Sequence, residues 1–121
     1  MAVTVTNQSN PLGSKLVQDS SANGTAVDNT TGASGTLYMV EVDNTANSAI
    51  VYFKMANTDD ATAGTTAAHL VLIVPASTKM SYVFPTGIAF STGFSHWCVA
   101  EAAESNTTAP SSAVIARYVT S

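Results

Sequence analysis

The chain carries little charge. Only 10% of its 121 residues are Asp, Glu, Lys or Arg, against roughly 25% in an ordinary soluble domain, and the net charge is −4. Its four basic residues, Lys15, Lys54, Lys79 and Arg117, lie far apart in the sequence. A protein that binds nucleic acid needs clustered Lys and Arg to neutralise phosphates. The charge pattern therefore argues against a nucleic-acid partner.

Cysteine and long apolar runs are also scarce. Cys98 is the only cysteine, so no disulfide can form within the chain. No run approaches the roughly 18 apolar residues that indicate a membrane-spanning helix. Residues 1–15 lack the basic stretch and apolar segment of a Sec signal peptide. We therefore expect synthesis and folding in a cytoplasm, with no membrane partner.

Hydroxyl side chains take the place of the missing charges. The chain has 17 Thr and 14 Ser. A weakly charged, hydroxyl-rich surface suits a protein that packs against copies of itself, because few charges must lose their water on contact. A Thr-rich β-protein without such contacts has the same composition. The composition leaves both alternatives open.

Short apolar or alternating segments, broken by Pro, Gly and Asn, predict β-strands joined by tight turns. No window longer than one turn shows a 3.6-residue apolar stripe. The predicted strands are residues 15–19, 37–43, 49–55, 70–74, 79–84, 88–90, 94–100 and 113–119. About eight short strands at this spacing predict an all-β fold, a single β-sandwich of jelly-roll or immunoglobulin-like Greek-key type. We expect the sandwich to span residues 15–121 and an extended N-terminal arm to span residues 1–14.

Three local expectations follow from the same pattern. Residues 43–47 are rich in Asn and Asp, which tolerate turn conformations, so they predict a hairpin between the strands at 37–43 and 49–55. The unbroken apolar run at 70–74 predicts a strand buried on both faces. The polar segments 57–68 and 102–112 are expected to be exposed loops.

The adjacent residues His96, Trp97 and Cys98 are the best candidates for chemistry. In a strand, His96 and Cys98 point to one face and Trp97 to the other. A zinc site needs about four ligands, and only His69 remains to join them. A Cys–His nucleophile pair needs a further group to orient the imidazole, and none is evident. We therefore interpret His96 as a structural histidine beside a buried thiol.

The acidic residues do not form a recognisable site. Asp59 and Asp60 have no third acidic residue at the spacing that calcium requires. Glu41 and Asp43 share a strand face, but at the exposed end of the predicted hairpin and not in a cleft. Gly-rich phosphate loops and GxSxG elbows are absent. The sequence thus predicts a protein that is not an enzyme, with no catalytic residue, metal or cofactor.

The N-terminal arm contains the candidate assembly contacts Val3, Val5, Pro11 and Leu12. Val3 and Val5 alternate with Thr, and a polar run then leads to Pro11 and Leu12. Such an arm would gain main-chain hydrogen bonds by adding a strand to the sheet of a neighbouring molecule. Two alternatives remain: the arm is the first strand of its own sandwich, or it is disordered, as termini often are.

Residues 37–54, 63–76 and 82–95 together resemble a recurring pattern in small structural proteins of tailed bacteriophages, those of cyanobacterial and marine phages in particular. The resemblance covers about half of the chain. It implies a virion component that decorates or cements the capsid exterior as a small homo-oligomer. The implied partner is the major capsid protein of the same virion. The family pattern supplies no catalytic or cofactor residues.

Two other functions are compatible with the sequence. The first is a receptor- or glycan-binding module of a tail fibre, head fibre or spike, which exposed aromatic residues on loops would favour. Residues 57–68 and 102–112 contain no aromatic residue, which favours the capsid shell. The second is a tail-tube or head–tail connector subunit. It is favoured less, because such subunits usually form rings through long hairpins with more charge complementarity.

Overall fold

The computed structural model describes residues 2–10 and 13–121. Across these residues the chain forms eight β-strands and no helix, which confirms the predicted all-β fold. The strands are β1 (Val3–Asn10), β2 (Gly13–Ala22), β3 (Gly35–Asp43), β4 (Val51–Asn57), β5 (Leu70–Val74), β6 (Lys79–Phe90), β7 (Phe94–Val99) and β8 (Val114–Thr120).

Two antiparallel sheets make up a β-sandwich. The large sheet has the strand order β1-β2-β8-β3-β6, and the small sheet has the order β5-β4-β7. Their inner faces share one apolar core. The large sheet contributes Val17, Val40, Val42, Ala116 and Tyr118, and the small sheet contributes Val51, Phe53, Met55, Leu72 and Cys98. The predicted β-sandwich is confirmed.

Alternation along the strands decides which residues enter this core. In β8, Ala116 and Tyr118 are buried while Ile115 and Arg117 face solvent. In β5, Leu72 is buried, but Val71 and Ile73 are 44% and 50% exposed. The prediction that residues 70–74 are buried on both faces is therefore wrong. β5 lies at the edge of the small sheet, and only one of its faces is covered.

The predicted hairpin between β3 and β4 is also wrong. β3 pairs with β6 and β8 in the large sheet, whereas β4 pairs with β5 and β7 in the small one. Residues 44–50 therefore cross from one sheet to the other. Asn44 and Asn47 are both buried and fix this crossover. Asn47 accepts a hydrogen bond from the Ser112 N–H at 2.7 Å, and its amide donates to Asn44 Oδ1 at 2.9 Å.

The segment 79–90 is one strand with an irregularity in place of the predicted turn. Leu37 of β3 pairs with Ile88, and Met39 pairs with Val83, so residues 84–87 lie opposite a single residue of β3. Gly87 adopts a φ of 76°, and a Cβ there would lie 2.2 Å from the Thr36 side chain. Only glycine fits this position without a rearrangement.

The outer face of the small sheet carries a second apolar cluster, formed by Ala56, Ala61, Trp97 and Val99. Residues 57–68 partly cover it, because Ala61 is buried against the sheet. Residues 102–112 supply the Ala103 carbonyl, which accepts a hydrogen bond from the buried Lys54 ammonium at 2.8 Å. Both segments were predicted to be exposed loops. Residues 102–112 are largely exposed, which confirms that prediction, whereas residues 57–68 are partly buried and cover the cluster around Trp97 through Ala61.

We predict that Trp97→Ala lowers the free energy of unfolding by about 3–5 kcal/mol, the usual cost of deleting a buried large aromatic side chain. Trp97 is only 1% exposed. Urea titration followed by circular dichroism measures the change. Val83→Ala is the control, because Val83 is 63% exposed and its truncation should change stability by less than about 0.5 kcal/mol. A loss below about 1 kcal/mol for Trp97→Ala would contradict the prediction.

Candidate functional site: the free edge of the large sheet

The sandwich has four edge strands, and the chain itself covers the edge of β7. Residues 23–30 run alongside β7 and pair with its main chain. The Val27 N–H donates to the His96 carbonyl at 2.9 Å, and the His96 N–H donates to the Val27 carbonyl at 3.1 Å. Cys98 N–H donates to the Asn23 carbonyl at 2.8 Å. This edge is therefore closed to another strand.

The edges of β5 and β6 are obstructed in part. The Tyr82 hydroxyl of β6 donates to the Ile73 carbonyl of β5 and so occupies a main-chain acceptor of that short strand. In β6, the irregularity at residues 84–87 interrupts the regular edge, and Pro85 has no N–H to donate. A short strand such as β5, and a bulge and a proline such as those of β6, are features by which natural proteins discourage edge-to-edge pairing.

The edge of β1 is regular over Val3–Asn7, beyond which the register with β2 shifts between Asn7 and Asn10. β1 pairs with β2 in a register that places Val3 opposite Asp19 and Val5 opposite Val17. The Ser20 N–H donates to the Ala2 carbonyl at 3.1 Å, so Ala2 and Ser20 belong to a hydrogen-bonded pair of β1 and β2. Hydrogen-bonded and non-hydrogen-bonded pairs alternate along antiparallel strands. The N–H and C=O groups of Val3 and Val5 therefore point away from β2. No other described strand pairs with that side of β1.

Two of the four predicted assembly contacts, Val3 and Val5, lie in β1. Val3 is half-buried and packs against the core, while Val5 is 48% exposed at the rim of the large sheet. Pro11 and Leu12 lie outside the described residues. β1 is the first strand of the chain's own large sheet, one of the alternatives considered for the arm. Its outward edge carries no charged side chain that would discourage pairing.

The outer face of the large sheet shows a pattern that sequence reasoning did not find. The strand registers align one apolar row across four neighbouring strands, made of Leu16, Val119, Met39 and Val83. The next row is polar and consists of Gln18, Arg117, Glu41 and Ser81. The apolar row could not be read from the sequence, because it depends on which strands are neighbours.

The carboxylates of Glu41 and Asp43 do not act as a pair. Glu41 lies 3.6 Å from the Lys79 ammonium and 3.8 Å from the Arg117 guanidinium, both exposed pairs that contribute little stability. Asp43 accepts hydrogen bonds from the Thr45 hydroxyl at 2.6 Å and the Thr45 N–H at 3.0 Å. These bonds lower the pKa of Asp43. Both carboxylates therefore serve local contacts.

A buried hydrogen-bonded chain joins the two sheets beneath the edge of β1. Asp19 Oδ2 lies 2.8 Å from His96 Nε2, and His96 Nδ1 lies 2.9 Å from the Tyr118 hydroxyl. The Tyr118 hydroxyl in turn bonds to the Thr30 hydroxyl. We call these four residues the buried network; each is at most 8% exposed. Both ring nitrogens of His96 are occupied, so neither is free to bind a metal.

The surroundings of the network set its ionisation. Burial alone would raise the pKa of Asp19. The hydrogen bonds from His96 and from the Ser21 N–H outweigh this effect, so the pKa of Asp19 lies below its ordinary value of 3.8. Burial raises the pKa of Tyr118 and raises that of the adjoining Cys98 to about 12. The thiol is therefore protonated at neutral pH, which does not suit a nucleophile.

A cleft of about 460 Å³ opens beside this network. Its lining includes Asp19, Ser21, Asn23 and Thr25, and none of its described lining residues is aromatic. Within the described residues, no group of three His, Cys, Asp or Glu side chains is placed to hold a metal ion. Nor does any helix of the described chain have the length and apolarity to cross a membrane.

Comparisons with protein-family models, with curated proteins and with solved structures give no match to this chain.

We predict that Asp19→Asn destabilises the fold at pH 7 by about 1.5–3 kcal/mol, the range for a buried hydrogen bond to a charged group. As pH falls, the free energy of unfolding of the variant should also decrease less steeply than that of the wild-type protein. A carboxyl whose pKa is lowered by folding stabilises the protein above its unfolded pKa, and this contribution disappears as pH falls through the folded pKa. The relevant window thus lies below about pH 4.

Urea titrations at several values between pH 2 and pH 7 provide the measurement. Asp60→Asn is the matched control, since Asp60 is exposed on the loop after β4. It should follow the wild-type pH profile. Parallel profiles for Asp19→Asn and wild type would show that the Asp19 carboxylate does not stabilise the folded state.

Proposed function

We propose that this chain is a structural protein of a tailed-phage virion, which decorates or cements the outer capsid shell through contacts with itself and with the major capsid protein. It would fold in the host cytoplasm and act on the capsid exterior. The observation that carries the proposal is the open edge of β1, because it offers main-chain donors and acceptors to a partner strand.

Physical features of the edge suit a permanent contact. Val3 and Val5 present two successive outward N–H and C=O pairs, and the exposed Val5 side chain adds apolar area beside them. Main-chain hydrogen bonds then provide affinity, while side chains such as Val5 provide specificity. A second copy of the chain can pair its own β1 antiparallel to the first, giving a two-fold contact and a continuous ten-stranded sheet.

The resemblance of residues 37–54, 63–76 and 82–95 to small virion proteins supports the capsid as the site of action. In the fold, these residues form β3 to β6 and lead into β7. They include Met39 and Val83 of the apolar row on the outer face of the large sheet. Val119 of the row is buried, but Val83 is 63% exposed and Leu16 and Met39 are half-buried. These three side chains offer a second surface, separate from the β1 edge, through which a subunit could contact the shell while β1 contacts another subunit.

A receptor- or glycan-binding module of a fibre or spike is the alternative. The cleft lined by Asp19, Asn23 and Thr25 supplies the polar groups that such a ligand would need. Sugar recognition also relies on aromatic surfaces, and the described lining has none. Binding of the purified protein to host cells, with no binding to capsids, would favour this alternative over the capsid role.

We predict that Val5→Pro abolishes self-association and capsid binding while the domain stays folded. The Val5 N–H points away from β2, so its loss removes a bond to a partner strand and leaves the ladder with β2 intact. Light scattering after size exclusion measures the oligomeric state. Co-sedimentation with particles of the parent phage that lack this protein measures binding.

Val5→Ala is the matched control, because it truncates the same side chain and keeps the N–H. It should retain association, weakened only by the lost apolar contact. Circular dichroism of both variants verifies folding. If Val5→Pro folds and associates like wild type, the β1 edge is not the contact. If imaging of intact virions places the protein away from the capsid exterior, the capsid role is wrong.

A further inference from the structure

A small cavity lies on the outer face of the small sheet, beside the segments 57–68 and 102–112. It has a volume of about 220 Å³. Its lining consists of Lys54, Thr66, Ala68, Val71, Trp97, Ala102 and Glu104. It is smaller than the roughly 300–1,000 Å³ of a pocket for a drug-sized ligand. Any occupant is therefore a small molecule.

Lys54 is buried at this cavity with few partners. It is 1% exposed, and its ammonium group donates to the Ala103 carbonyl at 2.8 Å. An ammonium has three N–H donors, and no other described residue accepts a hydrogen bond from it. Burial lowers the pKa of Lys54, although the Glu104 carboxylate opposes this shift. A buried ammonium next to a cavity requires further acceptors from whatever fills that cavity.

Trp97 presents a second donor without a partner. Its side chain is 1% exposed, and among the described residues its indole Nε1–H has no hydrogen-bond acceptor. A buried indole N–H usually finds a partner. Trp97 lines the same cavity as Lys54, and the two residues are directly opposite each other in the pairing of β4 with β7.

The other lining residues indicate the chemistry of the rest of the ligand. Ala68, Val71 and Ala102 are apolar, so they suit a short aliphatic segment beside the acceptor group. An anionic acceptor forms a stronger, charge-assisted bond with an ammonium than a neutral one does. We propose that this cavity is a binding site for a small aliphatic carboxylate, whose oxygens accept hydrogen bonds from Lys54 and Trp97. The site is independent of the capsid role proposed above.

Glu104 modulates this site. It is an exposed residue at the cavity, and its charge has the same sign as that of the ligand. Like charges repel, so Glu104 weakens carboxylate binding and competes for Lys54. Its replacement by Gln should therefore strengthen binding. This effect separates a carboxylate site from a cavity filled by water, where Glu104→Gln has no ligand to favour.

Trp97 is the only tryptophan in the chain, so its fluorescence reports on the cavity directly. The experiment titrates the full chain with sodium butyrate and records the emission of Trp97. Sodium chloride at equal ionic strength and butyramide, which has the same shape without the charge, are the control titrants. We expect a saturable change with butyrate, at least tenfold weaker binding of butyramide, and none with chloride.

Three variants complete the test. Lys54→Met should abolish the butyrate response, Glu104→Gln should tighten binding several-fold, and Lys79→Met, which removes an exposed lysine, should leave it unchanged. Because Glu104 is exposed, Glu104→Gln remains informative even if Lys54→Met does not fold. A lack of saturable response in both wild type and Glu104→Gln would overturn the proposal. So would equal affinity for butyrate and butyramide, or a butyrate response retained in folded Lys54→Met.

Discussion

The hydrogen-bonded chain from Asp19 through His96 and Tyr118 to Thr30 is the interaction on which the rest of the structure depends. Its four residues come from β2, β7, β8 and the segment that covers β7, so the chain links both sheets and their connection. A shift of one residue in β2 or β8 would turn Asp19 or Tyr118 to the outer face and leave His96 buried without partners. The network therefore selects a single register.

Each polar side chain of the network has at least one partner in the interior. His96 bonds to Asp19 through Nε2 and to Tyr118 through Nδ1. The Tyr118 hydroxyl bonds to the Thr30 hydroxyl, which also donates to the Phe94 carbonyl at 3.0 Å. Such a closed polar chain specifies a core arrangement without leaving a buried group unpaired.

This core arrangement determines which edge is left for contacts. Thr30 belongs to the network, and its N–H also donates to the Phe94 carbonyl at 2.8 Å, so the segment 23–30 is held against β7. The small sheet is thereby closed on one side, and Tyr82 occupies an acceptor of β5 on the other. Open main-chain groups remain at β1, next to Asp19. The residues that order the interior thus also direct any strand pairing to one place.

Alternation and turn residues were sufficient to predict the all-β class and the positions of β2 to β5, β7 and β8, whereas β1 was expected as an arm and β6 as two strands. Interactions between distant residues were not predictable. Asp19 and His96 are 77 residues apart, and neither residue shows a local sign of its partner. Asn44 and Asn47 have the composition of a hairpin turn, but their side chains bond to Pro75 and Ser112, which only the folded chain brings near. Residues 57–68 look exposed because the residue that anchors them, Ala61, is small.

The position of β8 has a consequence for how the chain is made. Of the eight strands, β8 is synthesised last, yet it lies between β2 and β3 in the middle of the large sheet. Until it emerges, the β1–β2 pair has no bonded connection to β3, and the inner edges of β2 and β3 are unpaired. Non-local pairing of this kind slows folding, and open strand edges favour aggregation. Nascent chains that stop before Val114 would therefore be targets for chaperones and proteases rather than partially active subunits.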